Sequence, residues 1–445
     1  MSAPGGDWAS SPLLTDLYQL TMLQSYFDGG MHAEAVFEFF FRRLPPTRNF
    51  LIAAGLEQLV DYLTRLRFGT PELDVLADTG LFHDPFLAYL ERFEFSGDLD
   101  AMPEGTVCFP NEPIARITAP LPEAQLVESR LLNLLHFETL IASKAARFVL
   151  AANGATLVDF GMRRAHGAEA AVLAARASYL AGFAGTATVL ARPLFGIPIF
   201  GTMAHSYIEA HDSEIEAFER FARGHRGAVV LLIDTYDTEA AARDVVELAT
   251  RLRGEGLAID SVRIDSGDLD ALSRSVRQIL DDAPGDRIGI FVSGGLTEQD
   301  VARFVAAGTP IDGYGIGTAL DASTDAPALD CAYKLQEYAG RPRRKRSPGK
   351  ATLPGRKQVY RRYGADGRIE RDVVTLVSEP RDGVPLLVPV LRRGKPVGEL
   401  PDIGRIRERC AAELATLPAE LTMVERQASF DVEIDESVTR LADQA

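Results

Sequence analysis

TLVDFGMRR (156–164), IPIFGTMAH (197–205), VVLLIDTYD (229–237), SVRIDSGD (261–268), IGIFVSGG (288–295) and IDGYGIGT (311–318) are six short apolar runs, each ending on a polar or glycine-bearing tip. Each run is too short for a core helix and continuous enough for a strand buried on both faces. The intervening stretches EAAVLAARASYLAGF (169–183), HSYIEAHDSEIEAFERFAR (205–223), AARDVVELATRLRGEG (241–256), LDALSRSVRQILDDA (269–283) and TEQDVARFVAAG (297–308) carry apolar residues at helical spacing. Several open on Thr or Asp caps and close on Gly. Strand and helix alternating every thirty residues or so predict parallel strands joined by right-handed crossovers, with reactive groups gathered where the strands end. A doubly wound open sheet would place its ligand at one switch point, whereas here nearly every tip is polar, so a closed α/β barrel is the expected fold.

The chain has 445 residues, more than one typical domain needs. Strand-like AVFEFFFRRLP (35–45) and EGTVCFPNEPIARITAP (104–120) precede the barrel, and KQVYRRYG (357–364), RDVVTLVSE (371–379) and GVPLLVPVLRRGKPV (383–397) follow it. The expected division is an N-terminal α+β domain over 1–125, a (β/α) barrel over 126–340, and a C-terminal segment over 341–445 packed with the N-terminal domain. The first dozen residues, rich in Gly, Ser and Pro, are expected to be loose. One low-complexity stretch, RPRRKRSPGK (341–350), is a basic loop between barrel and C-terminal segment.

Sixty-three acidic against 47 basic residues give a net charge of −16, which disfavours nucleic acid or an anionic membrane as the main partner. Local basic clusters must then serve small anions. No targeting segment is present and Arg192 breaks the longest uncharged stretch, so a soluble cytoplasmic protein is expected. Cys108, Cys331 and Cys410 lack any CxxC spacing and imply neither a disulfide framework nor a zinc site.

Several tips carry chemistry. VRIDSGD sets Arg263, Asp265 and Asp268 around a Ser266-Gly267 turn whose backbone N–H groups suit a phosphate and whose carboxylates suit Mg²⁺ or sugar hydroxyls; alternatively Asp268 simply caps the next helix. Asp234 and Asp237 in VVLLIDTYD resemble part of a diphosphate-binding signature without its glycine loop, or mark a helix start near Thr238. VSGG (292–295) and YGIGT (314–318) are successive glycine tips of the kind that let amides approach a phosphate. DFG (159–161) lacks every companion of the kinase Mg²⁺ motif. It leaves Phe160 beside Arg163 and Arg164, an aromatic face plus guanidinium groups that would hold an anionic heterocycle, or else a core ring and two solvated arginines. His205 in GTMAH is a candidate base, acid or phosphoryl acceptor, or a structural histidine; His211 is not at metal-ligand spacing from it.

Taken together, LLTDLYQLTM (13–22), FEFFFRRLP (37–45), LLNLLHFETLIASKAAR (131–147), DFGMRRAHG, GTMAHSYI, LIDTYDT, VRIDSGD, SGGL, YGIGT and SPGKATLPGRKQVYRR (347–362) resemble the nicotinate phosphoribosyltransferase family in order and spacing. The resemblance implies an irregular (β/α) barrel of the type II phosphoribosyltransferase kind with an added α+β domain. It also implies condensation of nicotinate with 5-phosphoribosyl-1-pyrophosphate to nicotinate mononucleotide and pyrophosphate, coupled to ATP hydrolysis through a phosphohistidine, with Mg²⁺ as cofactor and a homodimer with shared sites. By the same resemblance His205 is the phosphorylated residue, and Phe160 and a neighbouring subunit's Tyr18 sandwich the pyridine ring. Arg163, Thr202, Arg263, Asp265, Ser266 and Gly267 contact substrate, Asp234 and Asp265 hold ribose or Mg²⁺, and Gly294, Gly295, Gly315, Gly317 and Thr318 cradle the 5′-phosphate. Lys350, Arg356 and Lys357 are expected to contact pyrophosphate or ATP phosphates.

The nearest rival, nicotinamide phosphoribosyltransferase, carries an amide-binding Asp where this chain has Ala187. Ala187 cannot accept an amide hydrogen bond, and an Asp would repel a carboxylate, so nicotinate is favoured. Quinolinate phosphoribosyltransferases lack a GTMAH histidine of this kind. A catalytically silent ligand-binding relative would not need every polar tip intact.

Overall fold

The computed structural model describes residues 8–282, 287–347, 352–424 and 427–445. The chain divides into two compact units, Met1–Ser143 with Ala326–Ala445, and Lys144–Asp325. A helix over Glu128–Ala152 runs through the first boundary.

The first unit is built on a seven-stranded antiparallel sheet. Its central strand, Glu34–Arg43, lies between Asp330–Tyr338 and Pro113–Pro120, with Phe39 opposite Tyr333 on one side and Ala115 on the other. A second sheet pairs Lys357–Tyr363 with Ile369–Leu376 as an antiparallel ladder. Phe37 stacks on Tyr333 at 4.9 Å between ring centroids, and Phe39 and Phe41 are fully buried. Such cross-strand aromatic pairs are the unit of sheet stabilisation and account for the FEFFF run.

The second unit holds the repeated strand and helix pattern. Its elements are β1 Thr156–Asp159, α1 Ala168–Ala181, β2 Gly185–Thr186, α2 Ala191–Phe195, α3 His205–Glu209, α4 Glu214–Gly224, β3 Val230–Leu232, α5 Thr238–Arg253, β4 Ser261–Ile264, α6 Leu269–Leu280, β5 Gly289–Val292, α7 Glu298–Ala306, β6 Gly313–Ile316 and α8 Thr318–Asp321. All six strands are parallel, in the order β2-β1-β6-β5-β4-β3. The sheet has two edges, β2 and β3, so it is a curled half-barrel rather than the fully closed barrel the tips imply. IPIF contributes only an isolated bridge, Thr186 to Ile199, where a full strand was expected. Ile199 and Phe200 are 47% and 40% exposed, too open for a buried strand.

Alternation along the strands separates two faces. Val262, Ile264, Ile290 and Val292 are fully buried, while Arg263 and Phe291, paired side by side in register, share the half-exposed face. In α5 the buried residues Ala241, Val245, Leu248 and Leu252 follow one helical stripe. Asp237, Asp268 and Thr297 each cap the following helix through a side-chain oxygen, fixing where α5, α6 and α7 begin. The capping reading of Asp237 and Asp268 is therefore correct. Among the described residues no helix is long and apolar enough to cross a membrane.

Candidate active site

Hydrogen bonds tie the tips of β3, β4 and β5 into one row. Asp234 Oδ2 accepts from the Asp265 backbone N–H at 3.0 Å and from Ser266 Oγ at 2.6 Å. Asp265 Oδ1 accepts in turn from Ser293 Oγ. Gly294 follows with φ +104°, and a Cβ there would sit 2.0 Å from the Asp265 carbonyl oxygen, so only glycine lets the two tips approach.

Arg263 rises from β4 onto the half-exposed face. Nη1 donates to Thr202 Oγ1 at 2.8 Å and Nη2 to the Met203 carbonyl at 3.3 Å, while the buried Nε has no partner. Among the described residues no carboxylate lies within ion-pair distance of it. Burial lowers its affinity for the proton against the pull of Asp265 and Asp234, and the nearby like charge of Arg163 adds to that fall. Two cations that act on each other, one of them largely desolvated and without an ion pair among the described residues, are an arrangement that an anion would stabilise.

His205 opens α3, and its Nδ1 lies 3.1 Å from Thr235 Oγ1. With a proton on Nδ1 donated to that hydroxyl, Nε2 is left with a free lone pair. Asp234 Oδ1 and Glu214 Oε1 are buried without hydrogen-bond partners. Glu214 is pushed up to about 7, first by burial and then by the Asp244, Asp234 and Asp237 carboxylates. This accumulation of negative charge would be relieved by a cation. Among the described residues no cluster of three or more His, Cys, Asp or Glu could hold a metal unaided. Mg²⁺, however, commonly takes one or two carboxylates and draws its other ligands from water and substrate phosphates. Asp234 and Asp265 fit that pattern.

At the other end of the sheet β1 delivers Phe160. Its N–H donates to the Ile316 carbonyl at 2.7 Å, and its ring lies so close over β6 that a Cβ on Gly315 would meet it at 2.5 Å. Gly315 is thus the floor under an aromatic ring. Phe291 lies over Gly313 in the same way, 5.9 Å from Phe160 between centroids. The ring is half-buried rather than part of the core, and Met162, Arg163 and Arg164 beyond it are exposed. The Ala187 N–H donates to the Asp159 carbonyl at 2.8 Å, which sets Ala187 beside the origin of this turn. Gly317 is the N-cap of α8, and Thr318 is the first residue of that helix.

Other expected residues belong to the first unit. Lys357 is buried, and its ammonium donates to the Leu353 and Gly355 carbonyls and pairs with Glu38 at 2.7 Å. With those three partners it has no donor left for a phosphate, so the expected phosphate role is corrected to a structural one. Arg356 pairs with Glu34 and Glu337. Tyr18, on the helix Leu17–Asp28, is 48% exposed. Lys350 lies outside the described residues. The sequence reading missed Thr235, Ser293 and Phe291; the alternation IGIFV could have pointed to Phe291, but lone hydroxyls carry no signal before their partners are known.

Two family models cover most of the chain: the nicotinate phosphoribosyltransferase N-terminal domain over residues 13–136 and the nicotinate phosphoribosyltransferase family over 155–339. The chain is 49% identical over 414 residues to nicotinate phosphoribosyltransferase pncB2 of Mycobacterium tuberculosis (strain ATCC 25618 / H37Rv), covering 93% of this chain and 89% of the relative. It is 39% identical over 378 residues to nicotinate phosphoribosyltransferase of Bacillus subtilis (strain 168), covering 83% and 77%. The crystal structure of human nicotinic acid phosphoribosyltransferase superposes with a TM-score of 0.85 at 27% identity, covering 97% of this chain and 99% of that one.

Proposed function

This chain belongs to the nicotinate phosphoribosyltransferase family, and from that premise we propose how its residues carry the reaction. It is an enzyme of NAD salvage that joins nicotinate to the ribosyl donor 5-phosphoribosyl-1-pyrophosphate. The observation that carries the residue assignment is the unpaired, half-buried Arg263 beside Arg163, on the same strand-end face as the rings of Phe160 and Phe291. An anionic heterocycle and phosphates need that combination. Phe160 offers its face to the pyridine ring, and Arg163 and Arg263 take the nicotinate carboxylate or the donor's phosphates.

The ring nitrogen attacks C1′ of the ribose as the bond from C1′ to the pyrophosphate oxygen breaks. The pyridine nitrogen has its lone pair free, so no general base is required. Charge builds on the departing pyrophosphate and on an oxocarbenium-like ribose, and preorganised cations lower that barrier. Asp234 and Asp265 would hold Mg²⁺, which neutralises leaving-group charge when bound. Gly294, Gly295, Gly317 and Thr318 approach the 5′-phosphate, with Ser266 and Gly267 on the ribosyl donor and Thr202 holding Arg263.

ATP coupling runs through His205. Its Nε2 attacks the γ-phosphorus of ATP, forming an N–P bond as the P–O bond to ADP breaks; water later cleaves the N–P bond. The Thr235 hydroxyl 3.1 Å from Nδ1 supports this assignment, because a proton donated to it from Nδ1 leaves the Nε2 lone pair free. Labelling with γ-labelled ATP during turnover, followed by peptide mapping, is expected to find acid-labile label on His205. His205→Ala is expected to fold and to lose all stimulation by ATP. Label elsewhere, or none in an active preparation, would exclude the assignment.

Base choice is assigned to Ala187. Ala187→Asp is expected to cut use of nicotinate at least about tenfold, equivalent to about 1.4 kcal/mol, by setting a carboxylate against the substrate's own. Competing nicotinate with nicotinamide in one reaction decides it, and an unchanged preference would mean that residue 187 does not face the ring. The working form is proposed to be a cytoplasmic homodimer in which Tyr18 of one subunit closes over the ring bound by the other.

A further inference from the structure

Behind Phe160 the half-barrel buries two carboxyl groups that the transfer chemistry does not use. Asp159 ends β1 and is fully buried; Asp321 ends α8 and is 2% exposed. Asp159 Oδ1 accepts from the Gly161 N–H at 2.7 Å, and Oδ2 accepts from Thr186 Oγ1 at 2.6 Å. Gly161 lies against both carboxyl groups, which act on each other electrostatically, and neither Asp321 oxygen has a hydrogen-bond partner among the described residues. A Cβ on Gly161 would lie 2.1 Å from both Cγ and Oδ1 of Asp321, so the Asp321 carboxyl rests directly on the Gly161 backbone.

Two carboxylates in contact and out of water cannot both be ionised. Asp159 already receives two hydrogen bonds that favour its anion, so the proton belongs on Asp321. Charged groups do come near in sequence and packing. The turn after Phe160 carries Arg163, Arg164 and His166, and α1, which packs against α8, carries Glu169 and Arg176. Among the described residues none hydrogen-bonds to the Asp321 carboxyl, and Asp159 is the charge that raises it. Burial first, and the Asp159 charge second, push Asp321 up to about 9.

We infer that Asp321 is a positioning residue for the transfer reaction: it folds as a carboxylic acid, donates its proton to Asp159, and thereby locks the Gly161 turn that presents Phe160 and Arg163. This rests on the reading that Phe160 carries the pyridine ring. The chain of contact is short. Asp321 lies on Gly161, Asp159 accepts from the Gly161 N–H, and the Gly161 carbonyl accepts from the Arg164 and Ala165 N–H groups at 2.7 and 3.1 Å; the proposed proton closes this ring of contacts from Asp321 to Asp159.

Asp321→Asn keeps the shape and the donor at every pH, whereas Asp321→Ala removes both. Asp321→Ala is expected to raise KM for nicotinate about tenfold with kcat changed less than about threefold, the pattern of a loosened binding surface. Wild type is expected to lose kcat/KM near pH 9, and Asp321→Asn is expected to restore KM and to abolish that loss. A second readout needs no turnover. Between the ordinary carboxyl range and about pH 9 the folded chain holds one proton more than the unfolded chain, so this group's contribution to stability is whole below that window and is lost as pH rises through it. Asp321→Asn lacks this loss, so its Tm should gain on wild type progressively from pH 5 to pH 9. A Tm difference independent of pH, or an Asp321→Asn protein as impaired as Asp321→Ala, overturns the inference. If Asp321→Ala does not fold, the Asn variant alone decides. Absence of nicotinate turnover in the wild-type protein would sink the functional reading and leave the melting profile standing, so the two failures are separable.

Discussion

Arg263→Ala is expected to lower kcat/KM by about 10²- to 10³-fold, the loss typical of removing one preorganised charge-stabilising donor. The guanidinium is aimed before substrate arrives, by Thr202 Oγ1 and the Met203 carbonyl, and among the described residues no carboxylate forms an ion pair with it, although Asp265 and Asp234 act on it from farther off. Its field is therefore available to charge that develops on the leaving pyrophosphate. Stability should move little or rise, because the residue's burial is a desolvation cost without the return of an ion pair. That divergence separates a catalytic role from a structural one: activity falls while Tm holds. Arg263→Lys keeps a charge but loses the planar fork, so it should recover only part of the activity. A loss in kcat/KM below about threefold in Arg263→Ala would remove Arg263 from the reaction.

Such predictions rest on tips that were largely legible in the sequence. Strands β1, β3, β4, β5 and β6 coincide with quoted apolar runs, because a strand with at least one buried face leaves its apolar mark in the residues themselves, although β4 and β5 bury only alternate residues. Where that mark fails, a physical reason can be named. Strand β2 is two residues, Gly185–Thr186, held in place by β1 and by the bridge to Ile199, with no apolar run to betray it. The helix expected over 205–223 is broken between α3 and α4, where Ser213 caps α4 by accepting from the Glu216 N–H; Ser followed three residues later by Glu was a readable stop. The basic motif around 356–357 looked like a phosphate site because sequence shows charge but not partners, and Glu38 lies far away along the chain. Asp321 carried no signal for the same reason. Its chemistry exists only once folding brings it against Asp159.

The shared active site is the assignment with the sharpest outcome. Helix Leu17–Asp28 exposes Leu17 and Tyr18 at 54% and 48%, and the segment after β2 exposes Val189, Leu190, Leu194, Ile199 and Phe200. Apolar groups left open in such numbers are characteristic of surfaces that another chain covers. If Tyr18 of one subunit closes the ring site of its partner, Tyr18→Asp sets a carboxylate against the substrate's carboxylate and should silence that partner's site. His205→Ala is expected to silence ATP-dependent turnover in its own half-barrel. In a dimer of one Tyr18→Asp chain and one His205→Ala chain, one site then receives both lesions and the other receives neither. Refolding equal amounts together makes about half the dimers mixed, each with one good site, so about a quarter of wild-type ATP-dependent activity should return although each variant alone is expected to show none. Sites built within single chains would each keep a lesion, mixing would restore nothing, and Tyr18 would have to be removed from the active site.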